Sequence, residues 1–293
     1  MPELPDVTVY VDRLAAKVVG HRLERLRIGH PFLLRSVSPP VAAIEGRTVT
    51  GIERLGKRVV MALEGELFVV IHLMIAGRLV WLAPGAKTGG RNALAWFEFD
   101  VGTLALTEAG KQRRASLHLV EGRAALRVLD AGGVDVLTAT LAEFTQRLTA
   151  ENHTVKRALT DPRLFSGIGN AYSDEILHRA RLSPLALTQS LDAATIERLL
   201  TAMRATLTEW TARLAREAGD WPAKVTAFHP SMAVHGRFGL PCPDCGAPVQ
   251  RIVRADNETN YCARCQTGGK VLADRGLSRL LKDSWPKHID ELM

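Results

Sequence analysis

The chain has 293 residues, 46% hydrophobic and 24% charged, which suits an ordinary globular protein long enough for two domains with real cores. No apolar run reaches the roughly 18 residues that span a bilayer, and the early acidic residues Glu3, Asp6 and Asp12 break the layout of a signal peptide. Membrane proteins are thereby set aside, and the chain reads as cytosolic. Its 38 Lys and Arg against 31 Asp and Glu leave +7 and a pI near 9.5, a balance that suits a polyanionic partner.

The amino end reads Met1-Pro2-Glu3-Leu4-Pro5-Asp6. Once Met1 is removed, Pro2 carries a free secondary amine. An α-amino group titrates near about 7.7–8.0, so part of it is neutral and nucleophilic at neutral pH. Such an amine can attack a sugar C1′ or an aldehyde and form a Schiff base. Glu3, one residue away, can move protons in the same reaction. The plainer reading is a helix start, with Pro and acidic residues in the first turn. Residues 3–19 do read as a helix, with Leu4, Val7, Val11, Leu14, Ala15 and Val18 at helical spacing and Gly20 as the stop.

From about 22 to 130 the pattern changes to short strands, predicted at Arg58–Leu63, Leu67–His72, Leu79–Leu82, Leu94–Asp100, Thr103–Leu106 and Ser116–Val120. A β-sandwich or barrel is the expected product. No βα alternation and no Gly-rich phosphate loop appear, so no nucleotide cofactor is expected. Lys57 stands just before a strand, where an edge lysine needs no function. Ile71-His72-Leu73-Met74-Ile75-Ala76-Gly77 ends a strand with apolar residues, either core packing or a wedge that enters a base stack. Thr107–Arg114 is a basic loop.

Residues 121–139 have weak periodicity and place a domain boundary there. Beyond it, helices are predicted at Leu141–Leu148, His153–Leu159, Ala171–Ala180 and 194–217. Gly167-Ile168-Gly169-Asn170 is a tight turn that by itself needs only to connect two helices; it also sets Asn170 and backbone N–H groups at a helix N-terminus, a natural phosphate site to which Lys156 would add a cation.

The most specific local signal is Cys242-x2-Cys245 and Cys262-x2-Cys265, separated by 16 residues. These are the only four cysteines, and the spacing fits a zinc ribbon whose ion is structural because protein fills all four positions. Val249–Val253 and Thr259–Tyr261 would form its hairpin. Seven Lys and Arg against three acidic residues between 248 and 282 make the finger basic.

Pro2-Glu3-Leu4-Pro5, Lys57, Gly167-Ile168-Gly169-Asn170-Ala171-Tyr172, His235-Gly236-Arg237 and the four-cysteine finger occur together in this order. In them the chain, over roughly residues 1–267, resembles the formamidopyrimidine-DNA glycosylase and endonuclease VIII family of base-excision repair. The resemblance implies an α+β, multi-domain fold: an N-terminal β-sandwich with the catalytic helix (1–132), a helix-two-turn-helix domain (133–234) and a zinc-ribbon finger (235–267), beyond which this chain carries a C-terminal extension (268–293). It implies damaged double-stranded DNA held in a cleft between domains, and a monomer in a bacterial-type cytosol or nucleoid. Pro2 would be the nucleophile, Glu3 the general acid and base, and Lys57, Asn170 and a finger residue the phosphate grip. The damaged nucleotide would be flipped out, and the Schiff base would lead to β- and δ-elimination.

The sequence departs from the family pattern at several points. Asn257 stands where the finger Arg is usual, with Arg254 a candidate substitute. Ile75 takes the place of the wedge Met, and Met74 that of a Gly. Arg113 best matches an Arg void-filler in a loop that lacks the accompanying Phe. Asp6 replaces Glu, and a short helix is expected at Ala273–Lys282. Two other readings remain open: a non-catalytic damage-binding protein of the same fold, and an RNA-binding zinc-ribbon protein.

Overall fold

The structure, a computed structural model, describes residues 1–293 apart from 87–89, 111, 224, 227, 255, 256, 275 and 293. The chain forms two compact units: Met1–Ala131 with Trp210–Thr226, and Gly132–Glu209 with Ala227–Met293. The expected helical and finger segments therefore share one unit, and part of the expected helical segment returns to the first. Among the described residues, no helix is long and apolar enough to cross a membrane.

In the first unit, helix α1 (Leu4–Val18) opens the chain, with Pro at its first turn and Leu4, Val7, Tyr10, Leu14 and Val18 buried. Eight antiparallel strands follow: β1 (Arg22–Ile28), β2 (Arg47–Leu55), β3 (Arg58–Leu63), β4 (Leu67–His72), β5 (Gly77–Leu82), β6 (Ala93–Phe99), β7 (Gly102–Glu108) and β8 (Ser116–Glu121). Their order is β5-β7-β6-β1-β2-β3-β4-β8, and β1 and β2 pair only at Arg22–Thr48 and Leu23–Arg47. That thin junction lets the sheet fold into two four-stranded layers. Leu79, Phe97, Leu104 and Leu106 of one layer share a core with Val59, Met61, Val69, Ile71, Leu117 and Leu119 of the other. The period-2 alternation of β3 explains the rest. Val59, Met61 and Leu63 face this core, while Val60 and Ala62 join a second cluster with Phe68, Val70 and Leu126 of a short helix, α2 (Arg123–Val128). The sandwich reading is the one observed. Helix α2 is absent from the sequence expectation, because six residues after Gly122 are too few to show a period.

The second unit holds α3 (Leu141–Thr149), α4 (Val155–Thr160), α5 (Asn170–Arg179) and the first part of α6 (Ala193–Ala218). Thr140 and Glu143 form a reciprocal capping box at α3, a feature that stabilises a helix end by about 1 kcal/mol. A hairpin, β9 (Gln250–Arg254) and β10 (Asn257–Tyr261), and α7 (Ala263–Thr267) complete the finger. The expected tail helix is shorter than predicted: α8 spans Leu277–Leu281, and Arg275 lies outside the described residues. The extension packs onto the finger. Leu272 and Ile289 join its core, Leu272 N donates to the Tyr261 hydroxyl at 2.7 Å, and buried Asp274 accepts from Val253 N at 2.6 Å.

Candidate functional site

The amino end of the first unit is built by α1. Glu3 is the N-cap residue, and its backbone N–H donates to Asp6 Oδ2 at 2.9 Å. This spacing of three brings two carboxyl groups to one helix end, where Glu3 is 3% and Asp6 6% exposed. Burial above all pushes the Asp6 carboxyl up to about 7; the hydrogen bond from the Glu3 N–H opposes the rise and the charge of the Glu3 carboxylate adds to it. Pro2 is buried beside them, and with Met1 attached its nitrogen is an amide. Burial also lowers the terminal amine below its usual value; Glu3 and Asp6 oppose this, and Arg78 and Lys57 reinforce it. Two carboxyl groups and two cations thus surround the end of the chain.

Lys57 sits in the turn between β2 and β3, and burial lowers its ammonium while Glu3 raises it. Arg78, on β5, is fixed by donating through Nε to Val225 O at 2.7 Å and through a terminal nitrogen to Gly77 O at 2.6 Å. His72, at the end of β4, is pushed down to about 4, mostly by burial, then by Arg58, Lys57 and His118, and is neutral at neutral pH. Sequence reasoning misses Arg78 and His72, which no motif marks. The Asp6 role is legible in the capping-box spacing.

The β4–β5 turn carries Ile75, 55% exposed, at its tip. Gly77 N donates to Leu73 O at 2.9 Å, and a Cβ at Gly77 would lie 2.3 Å from that oxygen, so the turn requires glycine there. Met74 adopts φ +52°, the left-handed region that favours glycine. Arg113 lies in the loop after β7 and lines an open hollow of about 630 Å³ with His30, Phe32, Arg35 and Gly110. Lys111 of the same loop lies outside the described residues.

In the second unit, Asn170 opens α5 after Gly169, and Gly167 takes φ +84° in the preceding turn. Its side-chain amide donates to Glu258 O of the hairpin at 2.8 Å. Lys156 does not present a free cation. Its ammonium donates to Asn170 O at 2.7 Å, Ser173 Oγ at 2.8 Å and Asp174 Oδ1 at 2.5 Å, which accounts for all three protons. These bonds tie the ammonium to the first turn of α5, so that it positions the helix N-terminus. Asp174, fully buried, also bonds His235 Nδ1 at 2.7 Å. The neighbouring Glu175 carboxylate accepts the N–H groups of Ala233, Val234 and His235, and Gly236 N donates to Asn260 Oδ1 at 2.8 Å. The His235-Gly236-Arg237 segment is therefore a joint that ties α5 to the hairpin. Asn257 is exposed where the hairpin turns, paired with Arg254.

Cys242, Cys245, Cys262 and Cys265 bring their sulfurs within 4.8 Å of one another. The Cys242–Cys265 and Cys245–Cys262 separations are 3.9 and 3.4 Å. Four sulfurs about 2.3 Å from a tetrahedral zinc lie about 3.8 Å apart, so the set fits the ion. Buried His178 places Nε2 3.3 Å from Cys242 Sγ, an outer contact that orients the ligand.

Three family models match in succession. They describe the formamidopyrimidine-DNA glycosylase N-terminal domain (residues 1–130), its helix-two-turn-helix domain (133–216) and a zinc finger found in that enzyme and in isoleucyl-tRNA synthetase (239–268). The finger match and the cysteine cluster establish one structural zinc ion as the cofactor. A formamidopyrimidine-DNA glycosylase-like protein of Mycobacterium tuberculosis is 43% identical over 157 residues, which cover 53% of this chain and 96% of that protein. The formamidopyrimidine-DNA glycosylase of Thermus thermophilus is 33% identical over 279 residues, 92% of this chain and 100% of the relative. The crystal structure of the protein from that organism superposes with a TM-score of 0.76 at 32% identity, covering 90% of this chain and 98% of that one. A Lactococcus lactis relative, crystallised with abasic-site DNA, shares the fold at a TM-score of 0.81 and 22% identity, covering 90% of this chain and 99% of its own. Full-length similarity above 30% and three domain models in the same order show that the chain belongs to the formamidopyrimidine-DNA glycosylase family.

Proposed function

We propose that this chain is a base-excision-repair DNA glycosylase with abasic-site lyase activity, removing oxidised or ring-opened bases from damaged double-stranded DNA. The observation that carries the reading is the buried amino end ringed by Glu3, Asp6, Lys57 and Arg78. After removal of Met1, the Pro2 nitrogen becomes a secondary amine in a setting that favours its neutral form. Its lone pair attacks C1′ and the bond from C1′ to the base breaks, the base leaving with the proton that the Pro2 nitrogen gives up. Opening of the sugar ring at O4′, with a proton from Glu3, gives an iminium between Pro2 and C1′. The iminium acidifies the C2′ proton. Loss of that proton to Glu3 expels the 3′ phosphate in β-elimination, and a second elimination releases the 5′ phosphate.

Lys57, with its charge held near Glu3, grips the phosphate beside the reacting sugar. Ile75 enters the stack from its turn, Arg113 contributes a cation, and Asn170, Asn257 and Arg254 meet the backbone from the second unit. Lys156 serves by fixing Asn170. The expected segments 1–132, 133–234, 235–267 and 268–293 are then catalytic, DNA-binding, finger and finger-bracing regions of a monomer that needs no nucleotide cofactor. Asn257 brings no charge to the finger tip, which favours a second reading, a damage-binding protein without base excision.

Borohydride trapping tests the proposal. Met1-processed protein, with Pro2→Gly and Glu3→Gln variants, is mixed with abasic-site DNA and reductant. A covalent adduct whose mass maps to Pro2 is the expected result. A processed protein that binds this DNA yet gives no adduct rejects the lyase and leaves the damage-binding reading.

A further inference from the structure

Among the described residues, the hollow that Arg113 lines is bordered by two guanidinium groups, one imidazole and no carboxylate. Phe32, which also lines it, is 71% exposed, while its neighbour Leu33 is 1% exposed. The segment that carries Phe32 is clamped on β8. Leu117 N donates to Leu33 O at 2.9 Å, and Arg35 N donates to Leu117 O at 2.8 Å. Leu33 N also closes a turn onto His30 O at 3.1 Å, and the His30 ring lies 5.8 Å from the Phe32 ring. Phe32 is thus presented to solvent by a fixed backbone.

The facing loop is anchored as well. Glu108, 1% exposed, accepts the N–H groups of Arg114 and Ala115, each at 2.9 Å, and Arg113 donates to Arg91 O at 2.9 Å. An aromatic face held outward beside cations has the chemistry of a stacking platform for a nucleobase, with guanidinium groups for the flanking phosphates.

We infer that this hollow is a DNA contact in which an unpaired base stacks on Phe32 while Arg35 and Arg113 hold the adjacent phosphates. The inference rests on the glycosylase reading, because extruding a damaged nucleotide leaves its former partner unpaired. Stacking tolerates any base, so the contact senses that a base is unpaired and ignores its identity.

The test uses the full zinc-loaded chain and two duplexes that both carry a stable tetrahydrofuran abasic analogue. One has a normal base opposite the analogue and the other a second analogue, so the unpaired base is the only difference. Wild type is expected to bind the first about tenfold more tightly, in line with one base stacked on one aromatic ring. Phe32→Ala should bring the ratio close to one, and Phe32→Trp should restore it. Arg35→Ala should weaken both duplexes alike and reduce the salt dependence. An unchanged ratio in Phe32→Ala, with wild-type zinc content and melting, overturns the inference alone. A wild type that prefers neither duplex to undamaged DNA overturns the glycosylase reading as well.

Discussion

Replacing Asp6 with Asn removes a titrating group from the start of α1 while keeping an oxygen that can accept the Glu3 N–H. The ordinary aspartate value of 3.8 rises to about 7 here, chiefly through burial. Below the unfolded value both states are protonated and the group is neutral towards folding. As pH rises towards 7, the unfolded chain ionises first and the folded state is progressively disfavoured, so stability falls across this window. At about 1.36 kcal/mol per pH unit, the loss from about pH 5.5 to 7 is about 2 kcal/mol, and over the whole window roughly 4 kcal/mol. The Met1-bearing chain and its Asp6→Asn variant are to be unfolded in urea at several pH values. Tryptophan fluorescence suits this, since Trp81, Trp96, Trp210 and Trp221 all belong to the first unit. The variant should gain about 2 kcal/mol on wild type between about pH 5.5 and 7. A difference constant to within about 0.5 kcal/mol would refute the claim that Asp6 is held protonated.

The buried Lys156–Asp174 pair and the zinc finger give two further tests in the second unit. Lys156→Met and Asp174→Asn should each cost about 3–5 kcal/mol, because either leaves a buried partner uncompensated. The double variant should cost about 1–3 kcal/mol less than the sum, and strict additivity in urea unfolding would remove the pair from the account. Chelation should release one zinc per chain and abolish the finger's melting transition while that of the first unit persists; metal loss with no change in melting would show that the four thiolates do not hold the finger together.

Much of this protein is legible without coordinates. The cysteine spacing announces the finger because two residues between the members of each pair let both thiolates reach one tetrahedral ion. The strands β3 and β4 are readable as short continuous apolar runs because both of their faces are buried, and the stripe of α6 because burial on one face imposes a helical period. Pro2 and Glu3 are visible because an amino end is chemically special wherever it lies.

Other features depend on contacts between residues far apart in sequence, which no local period encodes. Strand β1 escapes the sequence pattern because Arg22, Arg25 and Arg27 break its apolar run, yet it pairs along β6. Nothing local to Lys156 shows that Asp174, 18 positions on, holds its ammonium. Arg78 joins the amino end only through the turn of β5 and a bond to Val225, 147 positions away. The exposure of Phe32 beside Arg113 likewise requires β8 to clamp one loop while Glu108 anchors the other. Local chemistry is written in the sequence; the electrostatic surroundings that raise Asp6, lower the terminal amine and neutralise His72 are set only when folding removes water and brings distant charges together.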